Sequence, residues 1–185
     1  EPLGPNNVLI FATGPLTGTS ASTSGRYAVL TKSPLTGAIA CSNSGGKFGA
    51  ELKYAGYDLL LVEGRAEEPV YLRIEDGDVS LHPAKKIWGK TVWETEEWIR
   101  QEHNNPMLKV ATIGIAGERG VRYAAVVNDL HRAAGRSGVG AVMGSKKLKA
   151  VAARGTCGVS VDDPKRFMEV TSRMKDMLAG DRGTR

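Results

Sequence analysis

The chain has 185 residues, an ordinary length for one domain and enough to bury roughly 70% of its unfolded surface. Hydrophobic content of 41% and charged content of 24% exclude a disordered chain, and no apolar run approaches the roughly 18 residues of a membrane span. The net charge of +5 is mild, but five basic residues and no acid fall within 130–149 (Arg132, Arg136, Lys146, Lys147 and Lys149), so the excess predicts one local anion site rather than a basic face.

The opening residues Glu1–Asn7 lack the basic and apolar regions of a secretory signal, and the missing initial Met predicts a processed chain or a piece of a longer one. Residues 7–12 (NVLIFA) read as a buried strand closed by Thr13, Gly14 and Pro15. A Gly/Ser/Thr-rich stretch over 13–25 precedes a strand near Tyr27–Thr31, and the turn Pro34–Gly37 leads into another over Ala38–Ser42. The tetrapeptide PLTG occurs at both 15–18 and 34–37, which fits sequential strands closed by similar turns. Lys47–Ala55 predicts a short helix with Phe48, Leu52 and Ala55 on one side and Gly56 just past its end. Residues 58–63 (DLLLVE) read as a buried strand, and Asp76–Gly77 predicts a hairpin between Val70–Ile74 and Val79–His82.

Thr91–Glu94 (TVWE) forms a capping box for a helix to about Glu102, with Val92, Trp98 and Ile99 in one stripe. Glu94, Glu96 and Glu97 are expected on its solvent face. Strands are expected over Lys109–Ile113, Val121–Val127 and Leu148–Ala153, then a helix from Asp163–Pro164 carrying Phe167, Val170, Met174, Met177 and Leu178 at helical spacing. A tail over 179–185 is expected to be disordered. Many short strands with few helices between them predict an α+β fold.

Two cysteines 116 positions apart, Cys41 and Cys157, cannot hold zinc or an iron–sulfur cluster unaided and read as small buried residues in a reducing cytoplasm. His82, His103 and His131 are scattered, and no acid, base and nucleophile can be assembled by spacing. Two segments could hold a ligand. Ser42–Gly46 (SNSGG) joins a strand to a helix, where glycines admit a close approach and the helix start offers free N–H groups. Residues 131–147 combine alternating glycines with Arg132 and Arg136. Arg26, after Gly25, is a third candidate. Neither the P-loop nor the dinucleotide fingerprint fits the spacing of Gly138, Gly140 and Gly144.

In chain order the sequence carries GPLTGT (14–19), GRY (25–27), TKSPLTG (31–37), NSGG (43–46), FGAELK (48–53), AGYD (55–58), IWG (87–89), ND (128–129), HRAAGR (131–136) and GVGAVMGSK (138–146). This series resembles the N-terminal domain of the tungsten-containing aldehyde ferredoxin oxidoreductase family over nearly the whole chain. The resemblance implies two mostly antiparallel β-sheets related by a pseudo-two-fold axis, with a few short helices, in one cofactor-binding domain over 7–178. It implies a tungsten (or molybdenum) bis-pterin cofactor whose phosphates are bridged by Mg2+.

By the same resemblance Asn43 and Ala133 match positions whose carbonyls take the magnesium. Gly45, Arg132, Gly135 and Arg136 match residues holding pterin or phosphate, and Arg26 matches an arginine between a pterin and the iron–sulfur cluster. Family members are longer and carry the 4Fe–4S cysteines in later domains, and their first sheet opens upstream of residue 1. The implied partners are the remaining domains of the same enzyme and ferredoxin, with a homo-oligomer open and neither membrane nor nucleic acid expected. The residues alone also leave open a stand-alone phosphate or nucleotide binder and a basic nucleic-acid-binding module.

Overall fold

A computed structural model describes residues 1–183. Period-two alternation builds the first sheet: Leu9 and Phe11 of β1 (Leu9–Thr13) point inward with Tyr27 and Val29 of β2 (Tyr27–Lys32). β3 (Ile39–Ser44) turns Ala40, Ser42 and Ser44 inward. With β4 (Leu59–Val62) these strands form an antiparallel sheet in the order β3-β2-β1-β4. The expected buried strand over 58–63 is corrected here. β4 lies at the sheet edge with Leu59 and Leu61 exposed on its outer face.

The helix between β3 and β4, α1 (Phe48–Tyr54), ends as expected at Gly56. Its φ of +96° lets the Gly56 N–H reach the Lys53 carbonyl and the Tyr57 N–H reach that of Leu52, which satisfies the last carbonyls.

The second sheet has the order β6-β5-β10-β7-β8-β9, antiparallel except for β5 beside β10. β5 (Val70–Glu75) and β6 (Asp78–Pro83) form the hairpin expected from Asp76–Gly77, both of which have positive φ. β7 is Lys109–Thr112, β8 Val126–Asn128, β9 Arg132–Ala134 and β10 Leu148–Arg154. The strand expected over Val121–Val127 is thus shorter, because Ala124 closes a turn onto the Val121 carbonyl.

The sheet is covered on both faces. One core joins it to the first sheet through Phe48, Leu52, Val126, Val142 and Val151. A second packs Ile87, Ile99, Leu108 and Val110 beneath α2 (Val92–Glu102), whose Thr91–Glu94 capping box is formed. Glu96 is not on the solvent face. Its side chain is buried, pairs with Arg100 and accepts from the Leu130 N–H.

Two short helices were not expected. α3 (Ile115–Glu118) and α4 (Val139–Ser145) pack on each other, and α4 also meets β1, β2, β8 and β10 between the sheets. The sequence VGAVMGS is a poor helix former, so packing rather than propensity makes α4. A Cβ on Gly140 would strike the Ala125 backbone and one on Gly144 the Gly117 backbone.

The last helix, α5 (Pro164–Gly180), is capped by Asp163 as expected but leaves Val170, Met174, Met177 and Leu178 exposed. It runs into the segment expected as a tail, of which residues 184–185 lie outside the described residues. Both cysteines are exposed, against expectation. No described helix is long and apolar enough to cross a membrane.

Candidate functional site

Each sheet ends in an edge strand at the place where the two halves meet: β3 closes the first sheet and β9 the second. A cleft of about 520 Å3 lies there, lined by Arg26, Cys41, Ser42, Asn43, Ala133, Gly135 and Arg136. Five of the seven residues singled out in the sequence converge on it from three separate segments. The other two, Gly45 and Arg132, do not line the cleft but adjoin it, two residues past Asn43 and one before Ala133.

Local bonds fix these segments. The Thr17 hydroxyl accepts from the Gly14 N–H (2.8 Å) and donates to the Arg26 carbonyl (3.0 Å), holding the start of β2. The Ser42 hydroxyl accepts from the Arg136 N–H (3.1 Å), and the Ser33 hydroxyl donates to the Ser137 carbonyl (2.8 Å). These two bonds tie the segment after β9 to the first sheet.

Asn128, buried at the end of β8, makes all four bonds its carboxamide allows. Its oxygen accepts from Tyr27 (2.9 Å) and Ser44 (2.7 Å), and its nitrogen donates to the Gly45 carbonyl (2.9 Å) and Asp129 (2.8 Å). Burial raises the Tyr27 hydroxyl's pKa far above its ordinary value, so it stays a donor.

The cleft is electropositive. Arg26, Arg132 and Arg136 are exposed, no carboxylate lines the opening, and none of the three guanidiniums has an ion-pair partner among the described residues.

The expectation of one anion site across the whole 130–149 block is corrected. Lys146 is buried with its ammonium on the Pro5 and Gly64 carbonyls, Lys147 donates to Glu67, and Lys149 is fully buried against Glu118 and the Lys90 carbonyl. Only the two arginines remain near the cleft. The start of α1 is not free for an anion either, because Asp129 already accepts from the Lys47 N–H (2.6 Å) and the Phe48 N–H (3.4 Å).

The glycines divide in the same way. Gly138, Gly140 and Gly144 are required by packing, whereas a Cβ would meet nothing within 4 Å at Gly45 and only Ala133 at 3.9 Å at Gly135. At those two positions the chain itself gives no reason for glycine.

Sequence reasoning included Ser42 in a candidate segment but missed Cys41, and gave Asn128 and Asp129 no part in this region. It also scattered His82 and His103, whose rings meet at 5.0 Å beside Tyr71 and Trp98 on the far side of the second sheet. Among the described residues no group of three His, Cys, Asp or Glu side chains is placed to hold a metal.

Comparison with known proteins identifies the family. The family model "Aldehyde ferredoxin oxidoreductase, N-terminal domain" matches residues 1–155. The tungsten-containing aldehyde ferredoxin oxidoreductase of Pyrococcus horikoshii is 58% identical over 98% of this chain and 30% of its own length. The WOR-like subunit of the aliphatic sulfonate oxidoreductase of Pyrococcus furiosus is 38% identical over 84% of this chain and 27% of its own.

Among solved structures, the BamBC active-site complex of benzoyl coenzyme A reductase, in complex with 1,5-dienoyl-CoA, superposes with a TM-score of 0.94. It is 43% identical and covers 97% of this chain and 27% of that one. The chain thus spans under a third of the length of these relatives. By the family model over residues 1–155 and these relatives, the chain belongs to the aldehyde ferredoxin oxidoreductase family, as its N-terminal domain.

Proposed function

We propose that this chain, as a single domain over 7–178, binds the tungsten (or molybdenum) bis-pterin cofactor of an aldehyde-oxidising enzyme of this family. The observation that carries the reading is the convergence of Arg26, Asn43, Ala133, Gly135 and Arg136 on one cleft at the seam of the sheets. The donor set fits the group. Guanidiniums grip phosphate in bidentate fashion, and backbone oxygens with phosphate suit Mg2+, a hard cation. The open space at Gly45 and Gly135 allows backbone to approach a ligand closely.

When bound, the metal dithiolene supplies the redox chemistry: an aldehyde and water give a carboxylic acid, two protons and two electrons. The chain's own residues bind and orient. Arg132 and Arg136 hold the pterin phosphates, and Gly45 and Gly135 let the backbone approach them. The Asn43 and Ala133 carbonyls would supply hard oxygen ligands to the magnesium, and Arg26 would sit between a pterin and a 4Fe–4S cluster. Cys41 and Cys157 are too few for that cluster, so its ligands and the substrate cavity come from other domains of the same enzyme, with ferredoxin as acceptor.

The test is Arg132→Gln and Arg136→Gln in the complete enzyme, with tungsten and pterin measured per protein. Each charge-assisted contact contributes about 1.5–3 kcal/mol, so each variant should bind the cofactor roughly ten- to a hundredfold more weakly. Unchanged tungsten and pterin content in both variants refutes the reading.

A further inference from the structure

Two segments carry the site in the reading above, and besides the Ser42–Arg136 bond they are joined by the side chains of buried Asn128 and half-buried Asp129. Asn128 sits opposite Arg132 in the β8–β9 hairpin. Its carboxamide spans from that hairpin to Tyr27 of β2 and to Ser44 and Gly45 at the end of β3.

Its neighbour Asp129 extends the link. One carboxylate oxygen accepts from Asn128 and from the Lys47 and Phe48 N–H groups, which fixes the backbone just after Gly46. Asp129 and Leu130 both have positive φ (45° and 63°), a strained turn that persists only where its surroundings over-determine it. Gly46 at φ +93° gives the carboxylate its room, since a Cβ there would fall on the Asp129 oxygen. None of these atoms lines the cleft. Each is bonded to a segment that does, or to its immediate neighbour.

We propose that Asn128 and Asp129 are positioning residues that set the separation of the Asn43–Gly45 loop from the Arg132–Arg136 loop, and with it the retention of the cofactor. The proposal rests on the cofactor reading. A cofactor held from both sides tolerates little change in the spacing of its two grips, because binding groups act together only at the correct separation.

Asn128→Asp keeps the acceptor for Tyr27 and Ser44 but loses both donors and sets a second carboxylate against Asp129. Asp129→Ala removes the strap to α1, whereas Asp129→Asn keeps an oxygen in place to accept from it.

The experiment uses the complete enzyme and measures pterin release at a fixed elevated temperature, with tungsten content and the thermal midpoint recorded alongside. The controls are Arg136→Gln and Ile99→Val, the latter a core change on the far side of the second sheet. Asn128→Asp and Asp129→Ala should release pterin at least tenfold faster than wild type. Asp129→Asn should stay within threefold of wild type, and Ile99→Val should not accelerate release.

Release by Asn128→Asp and Asp129→Ala no faster than by Ile99→Val, while Arg136→Gln still loses cofactor, overturns the proposal and leaves the cofactor reading standing. Asp129→Asn behaving like Asp129→Ala also overturns it. Full retention by Arg136→Gln overturns the cofactor reading, and the proposal with it. Where Asn128→Asp does not fold, the pair at position 129 decides alone.

Discussion

Lys149 belongs to the basic block but serves the fold, and Glu118→Ala tests that assignment. The Lys149 side chain is 0% exposed and its Glu118 partner 5%, so the pair is cut off from water. Removing the carboxylate strands an ammonium whose remaining contact is the Lys90 carbonyl at 2.8 Å. Breaking a buried pair from one side costs about 3–5 kcal/mol. With a urea dependence of about 2 kcal/mol per M for a chain of this size, the unfolding midpoint should fall by about 1.5–2.5 M.

The double variant Glu118→Ala with Lys149→Met leaves no orphan charge and should recover most of that loss, so the two effects are strongly non-additive. Burial already pulls the Lys149 ammonium below its ordinary 10.5. Glu118 opposes that shift, so an unpaired Lys149 is lower still. Its penalty is therefore fully present below its depressed folded pKa and shrinks as pH rises from there toward 10.5. The assay is urea unfolding of the chain followed by tryptophan fluorescence. A midpoint shift under about 0.5 M for Glu118→Ala, or simple addition in the double variant, refutes the reasoning.

The glycine division gives a second pair of outcomes. Gly140→Ala presses a methyl into the Ala125 backbone and should cost about 1–3 kcal/mol in the same unfolding assay. Gly135→Ala has room, so its stability should stay within about 0.5 kcal/mol of wild type, while the complete enzyme carrying it loses pterin; equal stability loss in the two contradicts the division. A third outcome concerns acid. Burial, with Arg73 and His82 nearby, holds the His103 imidazole below its ordinary 6.5, so the unfolded chain takes up that proton first. Stability from His103 is present above 6.5 and is lost as pH falls through its depressed folded value, so His103→Gln should flatten the acid limb of the stability profile; an unchanged slope removes this account.

What could be read from the sequence was local. The Asp76–Gly77 hairpin, the Thr91–Glu94 capping box and the Gly56 helix end each depend on a few adjacent residues, and each is formed. The misreadings needed tertiary information. An apolar run such as 58–63 does not say whether one face of its strand or both are covered, and β4 at the sheet edge covers one. Residues 139–145 hold only two good helix formers, Ala141 and Met143, among two glycines, two valines and a serine, and the helix exists because Gly140 and Gly144 admit neighbouring backbone. Counting charges over 130–149 could not show that Lys146, Lys147 and Lys149 end on backbone carbonyls or a buried acid. Asn128 and Asp129 did leave a trace: Asn and Asp together after a strand mark a tight turn, and both tolerate positive φ.

The place of the cleft follows from the topology. A sheet edge presents unpaired backbone groups, and proteins ordinarily cover or blunt such edges. Here β3 and β9 each end a sheet, and the two edges approach one another at the cleft. The Arg136 N–H bonds the Ser42 side chain rather than a β3 carbonyl, so the two strands do not merge into one sheet. A ligand rich in oxygen acceptors and bridged by a hard cation can use both kinds of leftover group, N–H by accepting from it and C=O through the cation. On the proposed reading the arginines set the sign of the ligand, and the edges supply its geometry. On that argument the basic residues at the cleft are necessary and insufficient: transplanting Arg132 and Arg136 onto a closed sheet would recreate the charge without the site.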